Sequence, residues 1–200
     1  MTAWPIPRVF QGATVAILAS GPSMTAEAAE KVRAAGLPAI AVNTTFRLAP
    51  WAEWLHGADA AWWKHTPGAL TFAGIRTSME EVQGVHLIAR AGRVGCGDEK
   101  DSIYTLGNSG AQAIQLAVKA GAARVLLLGM DMSGGHWHGE HSAPLRSTHP
   151  DIYAVWRDWM GTLAAGLEQR GIEVLNCSPD SALTCWPKVG LDEALRLHAQ

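Results

Sequence analysis

Apolar and polar positions along the 200-residue chain fall into blocks that read repeatedly as strand, turn and helix. Ala13 to Ala19 is an apolar run rich in β-branched residues that stops at Ser20-Gly21-Pro22-Ser23, and a helical pattern from Ala26 to Ala35 closes at Gly36. Pro38 to Val42 predicts a second strand, ending in Asn43-Thr44-Thr45. After Pro50, Glu53 to Ala58 predicts a short third strand, with Asp59 placed to cap a helix that starts at Ala60. From Lys64 to Asp101 the pattern loosens around several glycines, with strand-like pieces at Ile75 to Thr77 and Val85 to Ala89, so a flap-like insertion is expected at about 64–103.

Regular patterning then resumes. Gly107-Asn108-Ser109-Gly110 opens an apolar helix from Ala111 to Ala120, and Arg124 to Gly129 is the most continuous apolar strand, ending in Met130-Asp131-Met132. A polar loop from Ser133 to Ser142 follows and holds His136, His138 and His141. Asp151 to Gln169 predicts an amphipathic helix, Ile172 to Asn176 a last strand leading into Cys177-Ser178-Pro179-Asp180-Ser181, and Leu191 to His198 a final helix. Strand and helix alternate without an internal repeat, which predicts a single Rossmann-like three-layer α/β domain with a mainly parallel sheet.

Composition narrows this picture. The length suits one domain with a sizeable core. The formal net charge of -2 offers no broad attraction to nucleic acid or an anionic membrane. Cys96, Cys177 and Cys185 form no CxxC pair and suggest neither a disulfide framework nor a cysteine zinc site, which fits a cytoplasmic protein. Neither a signal peptide nor an apolar run of membrane-spanning length is expected. Nine tryptophans are an excess, read as core and interface packing compatible with a homodimer, with one or two rings left to stack on a ligand.

Four strand ends carry small polar or acidic groups: Ser20, Gly21, Pro22 and Ser23; Asn43; Asp131; and Asn176 with Ser178 and Ser181. A parallel sheet brings such ends to one edge, where open α/β sheets bind ligands. Asn108, Ser109 and Gly110 add side-chain hydrogen bonds and helix-end amides suited to a phosphate or ribose. The same residues also serve as plain turns and caps. The histidine loop admits two chemical readings. His136 and His138, with Asp131 and Glu140 nearby, are suitable ligands for a divalent metal; alternatively one histidine acts as general base or acid. GxGxxG, GxSxG and P-loop lysine motifs are all absent from the sequence.

The segments Ile17 to Met24, Ala41-Val42-Asn43, Gly107 to Gly110, Leu127 to Asp131 and Asn176 to Ser181 together resemble one superfamily. It unites bacterial sialyltransferases that use CMP-sialic acid, flagellin-modifying motility accessory factors and hydroxymethylpterin pyrophosphokinase-like proteins. The runs Ser181 to Pro187 and His136 to His141 look closer still to small uncharacterised phage and prophage proteins. The resemblance implies that Gly21, Pro22, Ser23, Asn43, Ser109 and Gly110 contact a cytidine nucleotide. It also implies a histidine base, for which His141, followed by Ser142, is the best match and His138 and His149 compete. Ser20 and Asp59 stand where the sialyltransferases have Asn, which bears on the cytidine preference. Three functions follow as expectations: transfer from a nucleotide sugar to an unnamed acceptor, pyrophosphoryl transfer from ATP with Asp59 and Asp131 on magnesium, or nucleotide binding by an accessory protein without turnover.

Overall fold

The computed structural model of the protein describes residues 3–141, 143–145 and 148–198, so Ser142 of the histidine loop lies outside the described residues. In chain order the strands are β1 (Thr14–Leu18), β2 (Ala39–Val42), β3 (Trp54–His56), β4 (Ile75–Ser78), β5 (His86–Leu87), β6 (Ala89–Gly92), β7 (Ser102–Tyr104), β8 (Arg124–Leu128) and β9 (Glu173–Asn176). The helices are α1 (Ala26–Ala34), α2 (Ala60–His65), α3 (Ser109–Lys119), α4 (Ile152–Glu168) and α5 (Leu191–His198). Seven strands form one sheet in the order β5-β4-β3-β2-β1-β8-β9, and every pairing in it is parallel. This is the expected Rossmann-like α/β architecture.

The mainly apolar central strands β1, β2 and β8 are explained by burial on both faces, since a parallel sheet covered by helices has no solvent side. Val15 and Ile17 of β1 join a core with α3 and α4, while Ala16 and Leu18 join a second core with α1, α2 and α5. These two cores and the sheet between them are the three layers. The stretch expected to be loose is divided in its placement. β4 and β5 extend the main sheet, whereas β6 and β7 form a separate parallel ribbon. That ribbon is pinned to α3, because the Gln115 side chain accepts from Tyr104 N at 2.9 Å and donates to Tyr104 O at 2.8 Å.

The chain leaves β1 toward β5 and returns to pair β8 with the other side of β1. The carboxyl ends of β1 and β8 therefore flank the point where strand order reverses, and the crevice there is where ligands dock in such sheets.

Candidate functional site

At this reversal lies a cavity of about 540 Å³. Its walls include Ser20 and Gly21 after β1, Asn43 after β2, Asn108 to Gly110 at the start of α3, and Asp131 after β8. Asp59 and Glu80 close one end beside Trp62; His136, His141, Tyr153 and Trp156 line another part of the wall. The structure thus brings together Ser20, Gly21, Asn43, Asp59, Asn108, Ser109, Gly110, Asp131, His136 and His141. Pro22, Ser23, His138, Ser178 and Ser181 stand outside that lining.

Gly21 is required by the protein itself. A Cβ built there would lie 2.0 Å from Asp131 Oδ2 and 2.4 Å from the Gly129 carbonyl, so the Asp131 carboxylate occupies the space that a side chain would take. Ser23 donates its hydroxyl to the same oxygen at 2.9 Å and its amide at 3.3 Å. Asp131 thereby locks the first turn onto the end of β8. It is nearly fully buried, and these two donors offset part of the cost of holding a carboxylate there.

Ser178 and Ser181 hold the loop after β8 in place. Met130 N donates to Ser178 Oγ at 2.8 Å, and Ser181 Oγ donates to Met130 O at 2.6 Å. Both serines are buried, so their hydroxyls satisfy the backbone N–H and C=O of Met130 that would otherwise be orphaned. Ser20 is committed in a similar way. Its hydroxyl lies 3.0 Å from both Val42 O and Thr45 Oγ1, and Thr45 Oγ1 also takes the Trp137 indole N–H at 3.1 Å. Trp137 N donates to Ser20 O at 3.1 Å, which ties the histidine loop to the first turn.

The side chain of Asn108 caps α3 by accepting from Ala111 N at 3.1 Å. At a helix start the first amides have no intrahelical acceptor, so those of Ser109 and Gly110 remain for a ligand. Asn43 and Met132 in the cavity wall, and Leu106 beside it, are the non-glycine residues with positive φ among the described residues, at 49°, 52° and 46°. Such backbone is costly and concentrates at functional sites.

The three loop histidines form a triangle, with ring centroids 5.1 Å apart for His136 and His138, 5.0 Å for His136 and His141, and 5.1 Å for His138 and His141. Burial first, then the neighbouring His136 and His141, push His138 down to about 4. Its Nε2 is buried without a hydrogen-bond partner among the described residues. Burial, then His136, also lowers His141, with Glu140 opposing. Both rings are therefore neutral near pH 7. Among the described residues no three His, Cys, Asp or Glu side chains converge to hold a metal ion, so neither the histidines nor Asp59 with Asp131 form a preassembled metal cage.

Asp59 is at the N-cap position of α2 but its side chain caps nothing; Ala60 N instead donates to Glu80 Oε2 at 2.9 Å. Burial, followed by the negative charge of Glu80, raises the Asp59 carboxyl above its ordinary value, and Arg90 opposes. Glu80, Trp62, Tyr153 and Trp156 are site residues that pattern reading misses. Glu80 falls in the glycine-interrupted stretch with no motif around it. Tyr153 and Trp156 carried a usable signal, since their i, i+3 spacing at the start of a helix places both on one face.

No protein family matches the chain, and neither any curated protein nor any solved structure matches it significantly.

Proposed function

We propose that the protein binds a nucleotide or nucleotide sugar in the cavity at the carboxyl edge of its sheet and transfers a group from it. One observation carries this reading: the turn after β1, Asn43, the capped start of α3 and the Asp131 loop meet at a single cavity beside the reversal of strand order. The sequence resemblance to glycosyltransferases of the sialyltransferase type supports the same reaction class. In this reading the Ser109 and Gly110 amides at the start of α3 receive the phosphate, with Asn43 and Asn108 also in the cavity wall.

His141 is the proposed base, because of the three candidates, His138, His141 and His149, it is the one in the cavity wall. It takes the proton from an acceptor hydroxyl, whose oxygen bonds to the donor carbon as the bond from that carbon to the nucleotide phosphate breaks. The departing phosphate keeps the electron pair, and the α3 amides stabilise its charge. Because His141 is lowered from its ordinary value of 6.5, the rate is expected to stay flat above pH ~6.5 and to fall only at more acidic pH. His141→Ala should reduce turnover by about a hundredfold or more while leaving nucleotide affinity within about twofold. Equal turnover by the variant, measured as nucleotide release from a panel of CMP-, UDP- and GDP-sugars, would remove His141 from the reaction.

A second reading, pyrophosphoryl transfer from ATP, is favoured by the charge of the cavity. Asp59, Glu80 and Asp131 line it, and among its described lining residues none is Lys or Arg. A polyphosphate entering such walls needs a divalent counter-ion, and magnesium is commonly held by one or two carboxylates together with the phosphates it accompanies. On this reading Asp59 and Asp131 would meet the ion that the polyphosphate brings with it, rather than hold it in a preassembled cage. Formation of AMP from ATP that depends on magnesium would favour it over transfer from a nucleotide sugar.

A further inference from the structure

At the opposite end of the layers, beyond the last turns of α3 and α4, lies a separate recess of about 300 Å³. α3 starts at the first cavity and ends at this one, which puts the two roughly 16 Å apart along an 11-residue helix. The recess has an apolar floor of Ile6, Val118 and Leu167 and a rim carrying Arg8, Lys100, Lys119 and Arg170. Asp98 is the lining carboxylate, and it is paired with Arg170 Nε at 2.8 Å. Two further acids flank the rim with their oxygens engaged elsewhere: Glu99 accepts from Tyr104 Oη and Asp101 from Ile6 N, each at 3.0 Å.

The cations at this rim are not matched by equivalent anions. Arg8 spends its guanidinium on a neutral partner, Gln11 Oε1, at 3.0 and 2.7 Å. Among the described residues Lys119 Nζ donates to carbonyl oxygens, those of Gly97 at 3.3 Å and Glu99. Burial lowers this ammonium below its ordinary value, with Glu99 opposing. Cations at helix carboxyl ends offset the helix dipole, and that accounts for Lys119 and Arg170. It does not account for Arg8 and Lys100, which lie on no helix, nor for an apolar floor opening between four cations in a chain whose net charge is -2.

We propose that this recess is a second binding site, for a compact organic anion whose carboxylate, sulfonate or phosphate head meets Arg8 and Lys119 while its apolar body covers Ile6, Val118 and Leu167. A cysteine in the wall makes the site readable. Cys96 lines the recess and accepts from Arg170 Nη1, so an occupant shields its thiol. Cys177 and Cys185 lie outside the lining and serve as internal controls.

The test uses 8-anilinonaphthalene-1-sulfonate, an apolar body with one anionic head, on the full chain. Iodoacetamide labelling is followed cysteine by cysteine by mass spectrometry. At ~90% occupancy Cys96 labelling should slow about tenfold while Cys177 and Cys185 stay unchanged. Lys119→Glu, and separately Arg8→Glu, should weaken the probe about tenfold or more. Undiminished Cys96 labelling at saturating probe overturns the proposal, and this readout needs only the wild-type chain. Probe binding that both charge reversals leave intact, in variants with unchanged circular dichroism, overturns it equally.

Discussion

At the scale of single residues, the most constrained group is His56, fully buried on β3 and joined to a chain of hydrogen bonds that has one consistent proton assignment. Gln112 Nε2 donates to Thr105 O, so Gln112 Oε1 must accept from His56 Nε2 at 2.8 Å. His56 Nδ1 then accepts from the Thr77 hydroxyl at 3.0 Å, which in turn accepts from Trp54 Nε1 at 2.7 Å. Burial holds the imidazole down at about 4, against hydrogen bonds from Gln112 and Thr77 that act to raise it. Because the folded value lies below the unfolded one, the unfolded chain binds the extra proton. Stability from this group is therefore complete above pH ~6.5 and is lost as pH falls toward 4, by up to about 3 kcal/mol. His56→Leu should cost about 2–4 kcal/mol at pH 7.5, by leaving the Thr77 hydroxyl proton and Gln112 Oε1 without a partner, and should flatten this part of the pH dependence. Urea unfolding of both proteins at pH 7.5 and pH 5 checks it; an equal loss in both would show that His56 is not the titrating group. Gly21→Ala is the corresponding test at the first turn. The new methyl meets Asp131 Oδ2 and the Gly129 backbone, so we expect a loss of at least ~2 kcal/mol and of nucleotide binding together.

At the scale of elements, the start of α3 joins fold and site. Asn108→Ala removes the side-chain cap on Ala111 N, which costs about 1 kcal/mol and lowers Tm by about 2–4 °C. It should weaken nucleotide binding as well, since the Ser109 and Gly110 amides lose the turn that aims them. A lowered Tm with undiminished binding would separate the helix start from the ligand. The central elements were legible in the sequence because β1, β2 and β8 are buried on both faces and read as unbroken apolar runs. β5, β6 and β7, of two to four residues each, were less legible, because glycines interrupt the stretch and β6 and β7 pair outside the main sheet. Ser178 and Ser181 show why site residues are harder to read than elements. A hydroxyl at a strand end suits a ligand and an orphaned backbone group equally, and here the N–H and C=O of Met130 take one each. Glu80 gave no sequence signal, because its place beside Asp59 is created by β4 pairing with β3.

At the scale of the whole molecule, the sheet divides the chain into two cores and places two recesses at opposite ends of α3, one lined by carboxylates and one by cations. Among the described residues no helix is long and apolar enough to cross a membrane. The tryptophans serve mainly the packing, with Trp54 and Trp63 fully buried, while Trp62 and Trp156 face the first cavity. The central claim is that this first cavity holds a nucleotide. Thermal unfolding of the full chain with CMP, CDP, UDP, GDP and ATP, each with and without magnesium, tests it most directly. A ligand at ten times its Kd stabilises by about 1.4 kcal/mol, so at least one nucleotide is expected to raise Tm by ~3–5 °C. A Tm unchanged by every nucleotide at millimolar concentration, with magnesium and without, would contradict the assignment.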